Sequence, residues 1–166
     1  MMLTFKPVSA MSDRKAALAL YQGAPDYFRL THQPAPTRAT VTEDRLAKPA
    51  DAPASAKHYG LLLENGVPVG VLDLLVGYPD AGTVYIGLLL LPASNQRRGL
   101  GRQAVAQLAA HFKDYARLRV AVVDDNKPAA AFWQAEGFVP VSATTTDLGD
   151  LNVVAVTIMD KALSEG

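Results

Sequence analysis

Gln96-Arg97-Arg98-Gly99-Leu100-Gly101 joins an apolar run, Val84 to Leu91, to a segment in which Leu100, Ala104, Leu108 and Phe112 recur every four positions. Pro92 ends the first run. The run reads as a strand, and the segment from Leu100 to Phe112 as a helix with one apolar stripe. The hexapeptide is therefore a strand-to-helix turn. Such a turn presents backbone N–H groups that have no partner inside the helix, and the helix dipole adds partial positive charge there. Gly99 and Gly101 carry no Cβ, so an anion can approach the backbone closely. Arg97, Arg98 and Arg102 add fixed positive charge. The stretch reads as a site for a phosphorylated ligand, a diphosphate first of all. It is neither a Rossmann fingerprint, whose third glycine is missing, nor a Walker A loop, which needs Gly-Lys-Ser/Thr.

Working outward, His58 to Glu64 and Val67 to Val76 read as strands joined by Asn65-Gly66, a strong hairpin signal. Gly77 to Gly82 is a turn cluster, so three strands form an antiparallel meander that ends at the glycine turn. After the helix, Leu118 to Val122 reads as a strand. A helix from Pro128 to Glu136 follows and stops at Gly137. Phe138 to Val141 and Leu151 to Met159 read as closing strands. Toward the N-terminus, Leu3 to Lys6 reads as a first strand. A helix through Ala16, Leu18, Leu20 and Tyr21 has Ser12 or Asp13 as cap. Asp26 to Leu30 reads as one more helical turn, and Thr42 to Leu46 as a short helix capped by Thr42. His32 to Thr40 and Lys48 to Ala56, rich in Pro and Ala, read as mobile loops over one sheet face.

The 166 residues suit one domain with a real core. Sixteen Lys+Arg balance sixteen Asp+Glu, so bulk charge gives no reason to expect a nucleic-acid surface. With no cysteine, disulfides, thiolate metal sites and cysteine nucleophiles are excluded, and no metal site is expected. Nothing reads as a signal peptide or a membrane span. The expectation is a soluble cytoplasmic protein, monomer or homodimer.

Gln-x-x-Gly-x-Gly resembles motif A of the GNAT family of N-acetyltransferases, which use acetyl-CoA. A second stretch agrees: Asn126, Ala129, Phe132, Trp133, Gly137 and Phe138 resemble the family's motif B. The resemblance runs from about Leu61 to Met159, and Tyr27-Phe28 and Tyr78-Pro79 look like a bacterial subgroup. It implies an α/β GNAT fold, with a mixed, mostly antiparallel sheet of about seven strands flanked by helices and splayed near the glycine turn. It also implies roles. Backbone amides from Gln96 to Arg102 (Arg97, Arg98, Gly99, Leu100 and Gly101 between them) hold the CoA diphosphate. The amides of Leu89 and Leu91 face pantetheine and the acetyl carbonyl. Asn126 bonds the pantetheine arm.

Two positions depart from the family pattern. Trp133 stands where a tyrosine usually protonates the leaving thiolate. An indole N–H can bond sulfur or pack on pantetheine but is no usable acid. Tyr85 stands where the family often has a glutamate base, and its hydroxyl can donate and accept. Asp73, one strand away, is the nearest carboxylate by sequence, with its face undecided. Tyr21, Tyr27, Phe28 and Tyr78 are candidates for an acceptor pocket. His32 and His58 are candidate bases by residue type but read first as surface residues. The expected activity is direct transfer of acetyl from acetyl-CoA to a primary amine, small molecule or peptide. The alternative is a non-catalytic CoA-binding or sensor protein.

Overall fold

The computed structural model describes residues 2–148 and 152–163. Its elements run β1 (Thr4–Pro7), α1 (Met11–Gln22), α2 (Pro25–Leu30), α3 (Arg38–Leu46), β2 (Lys57–Glu64), β3 (Val67–Val76), β4 (Thr83–Leu90), α4 (Leu100–His111), β5 (Arg117–Val123), α5 (Lys127–Ala135), β6 (Val139–Asp147) and β7 (Val153–Ala162). The seven strands form one sheet in the order β1-β2-β3-β4-β5-β7-β6. Only β4 and β5 pair in parallel; α4 is the crossover between them. Asn65 (φ 52) and Gly66 (φ 79) both take left-handed conformations, as a two-residue hairpin turn requires. Leu151, where the last strand was expected to begin, lies outside the described residues.

Alternation along the strands sorts the core into two layers. Leu62, Leu72, Leu74, Val84, Ile86, Leu118, Val120 and Met159 face α4 and α5 and meet Leu100, Ala104, Val105, Leu108 and Trp133. Tyr59, Leu61, Val71 and Leu90 face the other way and meet Ala17, Leu20, Tyr21, Phe28 and Val41 from α1 to α3. The second layer has a polar core. The Tyr21 hydroxyl donates to Asp44 Oδ2 at 2.7 Å and lies 2.7 Å from the Tyr59 hydroxyl, which must then donate to it.

Two helix starts differ from the sequence reading. α1 begins at Met11, and Asp13 accepts from the backbone N–H of Ser9 and Ala10. Asp13 is therefore the third helical residue reaching back, not the cap itself. α3 begins four residues earlier than expected, after Thr37, whose N–H donates to Thr40 Oγ1 at 3.0 Å. Thr42 is thus inside the helix. The second loop is packed: Ala52 and Ala56 are buried, and Lys48 Nζ donates to the carbonyl of Ala52.

Two irregularities position the site. Asp73 pairs with Leu88 and Leu74 with Ile86, so Gly87 is an extra residue, a bulge in β4. The parallel pairing of β4 with β5 covers only Thr83 to Ile86 against Arg117 to Val120. Beyond Ile86 the two strands part, and from Gly87 onward β4 has no strand on its β5 side. The sheet does splay, at the bulge and five residues before Pro92.

Candidate active site

The gap between β4 and β5 leads into the glycine turn. Gly99, at φ 77, caps α4, and no side chain caps that end. The first N–H groups of this twelve-residue helix are therefore open to an outside acceptor. Arg97 also takes a left-handed conformation, φ 64. Side chains hold the turn to the sheet. Gln96 Nε2 donates to the carbonyl of Leu91 at 3.0 Å and Asn95 Nδ2 to that of Val69 at 3.1 Å. Arg98 donates to Glu64 at 2.7 Å and to Asn95 Oδ1 at 3.2 Å.

The two glycines do different work. A Cβ on Gly99 would meet nothing within 4 Å. A Cβ on Gly101 would come within 3.0 Å of the Phe132 ring and 3.5 Å of Leu91 Cδ1. The missing side chain of Gly101 thus lets α4 pack against α5. Its N–H remains at the helix start.

The arginines also divide. Arg98 is committed to Glu64, whereas Arg97 and Arg102 have no carboxylate partner among the described residues. Replacing Arg97 or Arg102 by Gln should weaken acetyl-CoA binding by about fivefold or less, since exposed charge contacts are worth roughly 1 kcal/mol at most. Raising the salt concentration should shrink the loss. Calorimetric titration checks both, and a salt-independent loss of several kcal/mol would mark a buried, specific contact instead.

Leu89 and Leu91 turn their side chains to the α4 layer and are partly buried there. Their backbone borders the gap. Asn126 caps α5, accepting from the N–H of Ala129 at 3.3 Å, which leaves its NH2 to donate elsewhere. Trp133 is buried and packs edge-on between Phe132 and Phe138, each 4.9 Å away between ring centres. Its ring belongs to the core.

Asp73 lies on the face opposite α4, with Oδ2 accepting from Lys57 Nζ at 2.7 Å and Oδ1 buried with no partner among the described residues. A Cβ on Gly87 would stand 2.9 Å from Oδ2, so the bulge glycine makes room for this carboxylate. Burial pushes the Asp73 carboxyl up to about 6, against the opposing pull of Lys57. The folded value exceeds the ordinary 3.8, so the protonated group favours the fold. That contribution is full below the ordinary value and is lost as pH rises through the folded one, a change of roughly 3 kcal/mol. Asp73→Asn should remove this slope. The unfolding free energy of the variant minus that of the wild type should rise by roughly 3 kcal/mol between about pH 4 and pH 7. A flat difference would show an unperturbed carboxyl.

Tyr85 shares that face two residues before the bulge. Burial, the largest cause, raises its hydroxyl further, and nearby Arg119 opposes. At neutral pH Tyr85 therefore donates. Arg119 is itself held by Asp160 through a two-bond fork at 2.7 and 2.9 Å.

The aromatic candidates scatter. Phe28 is buried in the α1–α3 layer between Tyr21 and Tyr27 and faces no acceptor pocket, which corrects the sequence reading. Tyr27 is half-buried beside it, its hydroxyl pushed up to about 12 by burial. Tyr78 lies in the β3–β4 turn, at the end of β4 away from the glycine turn, and donates to Asp51 at 2.9 Å.

Two cavities stand out. One, of about 370 Å³, lies at the carboxyl end of β5 and is lined by His32, Asp124, Asp125 and Asn152 among others. His32 Nε2 is 2.6 Å from Asp125 Oδ2. The sequence reading passed over this pair, and the only local signal was two aspartates directly before Asn126. The other cavity, of about 500 Å³, is mainly apolar and lies between α4 and β1–β3. Among the described residues no cluster of metal-ligating side chains occurs, and no helix is long and apolar enough to cross a membrane.

Comparison with known proteins agrees with this geometry. The profile of the acetyltransferase (GNAT) family matches residues 12–138. The structure is similar to that of an acetyltransferase from Thermus thermophilus, with 32% identity, a TM-score of 0.79 and 98% of each chain covered. It shares its fold with the ribosomal-protein-S18-alanine N-acetyltransferase from Escherichia coli, at 18% identity, TM-score 0.68, and coverage of 99% of this chain and 96% of that one. A GNAT family acetyltransferase from Elizabethkingia anophelis with acetyl-CoA bound is similar in fold, at 14% identity and TM-score 0.63, covering 97% of this chain and 98% of that one. No curated protein matches the sequence at a significant level.

Proposed function

The chain belongs to the GNAT family of acetyltransferases, whose acyl donor is acetyl-CoA, and from that premise we propose that it acetylates a primary amine by direct attack on the thioester. The observation that carries this reading is the parting of β4 from β5 directly before an uncapped, arginine-flanked helix start. That arrangement accepts an extended arm ending in a diphosphate. The amides from Gln96 to Arg102 hold the diphosphate. Those of Leu89 and Leu91 point one way, being two apart on a strand. They face pantetheine and the acetyl oxygen, where an N–H stabilises the oxyanion as the amine attacks. Asn126 bonds the pantetheine arm.

On the acceptor side, the Asp73–Lys57 pair forms a polar wall at the bulge, and Tyr85 donates a hydrogen bond to the incoming group. Tyr27 lines the approach, whereas Tyr78, at the far end of β4, does not reach it. The thiolate leaves without a side-chain acid, because a thiol near the cysteine value of about 8.5 yields a tolerable leaving group. We place the enzyme in the cytoplasm, acting on a small molecule or a peptide amine.

The test is release of free thiol from acetyl-CoA in the presence of an amine panel: a polyamine, an aminoglycoside, an amino acid amide and a peptide with N-terminal alanine. Release that depends on one of these amines supports the reading. Trp133, packed in the core where the family has an acid, favours a second reading, a CoA-binding protein without turnover. Tight binding with no release for any amine would establish that one.

A further inference from the structure

The cavity at the carboxyl end of β5 lies between three segments that are remote in sequence: His32 after α2, Val123 to Asp125 leaving β5, and residues 152–155 entering β7. β5 is one wall of the gap in the sheet, and Asn126, the residue proposed for the pantetheine arm, follows Asp125 directly in the chain. We propose that His32, held by Asp125, takes the proton from the acceptor's ammonium in this cavity; the proposal rests on the acetyl-transfer reading above.

His32 is half-exposed but held in place. Its backbone takes a left-handed φ of 60, a conformation that non-glycine residues rarely adopt. Its N–H donates to the carbonyl of Arg29, and its carbonyl accepts from Asn152 Nδ2. These ties carry the imidazole to Asp125, where Nε2 lies 2.6 Å from Oδ2. An ionised carboxylate only accepts, so Nε2 donates in this contact and Nδ1 is the nitrogen left to meet the acceptor. Among the described residues Nδ1 has no partner. The other two titratable candidates on this side of the sheet are less free. Asp73 is bonded to Lys57, and the Tyr85 hydroxyl stays protonated. Among the described residues the charged groups that line the cavity beside His32 are Asp124, which accepts from Thr157 Oγ1, and Asp125. Arg29 on α2 is spent on Asp26.

The step balances. The ammonium gives one proton to Nδ1. The neutral amine nitrogen forms a bond to the thioester carbon and the carbon–sulfur bond breaks. The second nitrogen proton passes to the departing thiolate, which leaves as coenzyme A. The imidazolium returns its proton to solvent.

The experiment uses the whole protein and the amine that gives turnover. His32→Gln should lower kcat about 100-fold, the low end for general base help. It should abolish the fall in rate at acid pH, leave the Kd for acetyl-CoA unchanged, and regain activity when imidazole is added. Asp125→Asn should lower kcat by less, about tenfold, and keep the acid limb, because the imidazole is still present. His32→Gln with wild-type kcat and an intact acid limb overturns the proposal. If no amine gives turnover, the acetyl-transfer reading itself fails, and nitrogen-15 spectra of the protein saturated with coenzyme A decide separately on the pair. A single tautomer protonated at Nε2, lost in Asp125→Asn, supports it. A tautomer mixture in the wild type overturns it.

Discussion

Gly99→Asp is expected to abolish acetyl-CoA binding and to leave the fold intact. Gly99 caps α4 at φ 77, and its missing side chain faces open space. Aspartate tolerates the left-handed region better than most residues, and a carboxylate at a helix cap is itself favourable. The variant should therefore melt within a few degrees of the wild type. A phosphate charge about 5 Å from the new carboxylate repels it by roughly 3 kcal/mol at an effective dielectric of about 20. Binding should weaken by at least about 100-fold in a calorimetric titration. Gly99→Asn, of the same shape without the charge, should lose much less. Equal losses in both variants would mean that shape, and not an anion, decides the site. Gly101→Glu is no substitute. Its Cβ would stand 3.0 Å from the Phe132 ring, so a loss of binding there would mix altered packing between α4 and α5 with the added charge.

The second large effect is at Trp133. Removal of its ring by Trp133→Ala should cost about 3–5 kcal/mol, the range for a large buried aromatic. The ring sits between Phe132 and Phe138 and is 7% exposed. Chemical denaturation checks this, and a loss under about 1 kcal/mol would mean that the site collapses around the gap. Trp133→Tyr separates packing from chemistry. It should lose part of that stability, yet raise kcat about tenfold where chemistry limits the rate, because it returns the family's acid. An unchanged kcat would show that the thiolate leaves unaided at no disadvantage.

The frame was legible because its signals are local. Asn65-Gly66 dictates a hairpin turn, the stripe from Leu100 to Leu108 dictates a buried helix face, and Gly99 sits where the helix must start. The site was only half legible, because its acceptor side is assembled across distance. The face of Asp73 depends on the bulge at Gly87, and alternation along β3 alone cannot show a bulge in β4. Phe28 looked like a loop aromatic until α1 and α3 closed over it. Gly99 and Gly101 look alike in sequence, but α5, well further along the chain, gives Gly101 its packing role. His32 and Asp125 are 93 residues apart, and no periodicity links them.

The most direct measurement is an amide-resolved NMR titration of the protein with acetyl-CoA. Binding on the glycine turn predicts that the largest shifts fall on the amides from Gln96 to Arg102, on Leu89 and Leu91, and on Asn126. Shifts centred instead on the apolar cavity between α4 and β1–β3, at Leu3, His58, Leu72 and Gln107, with the turn unmoved, would contradict the account.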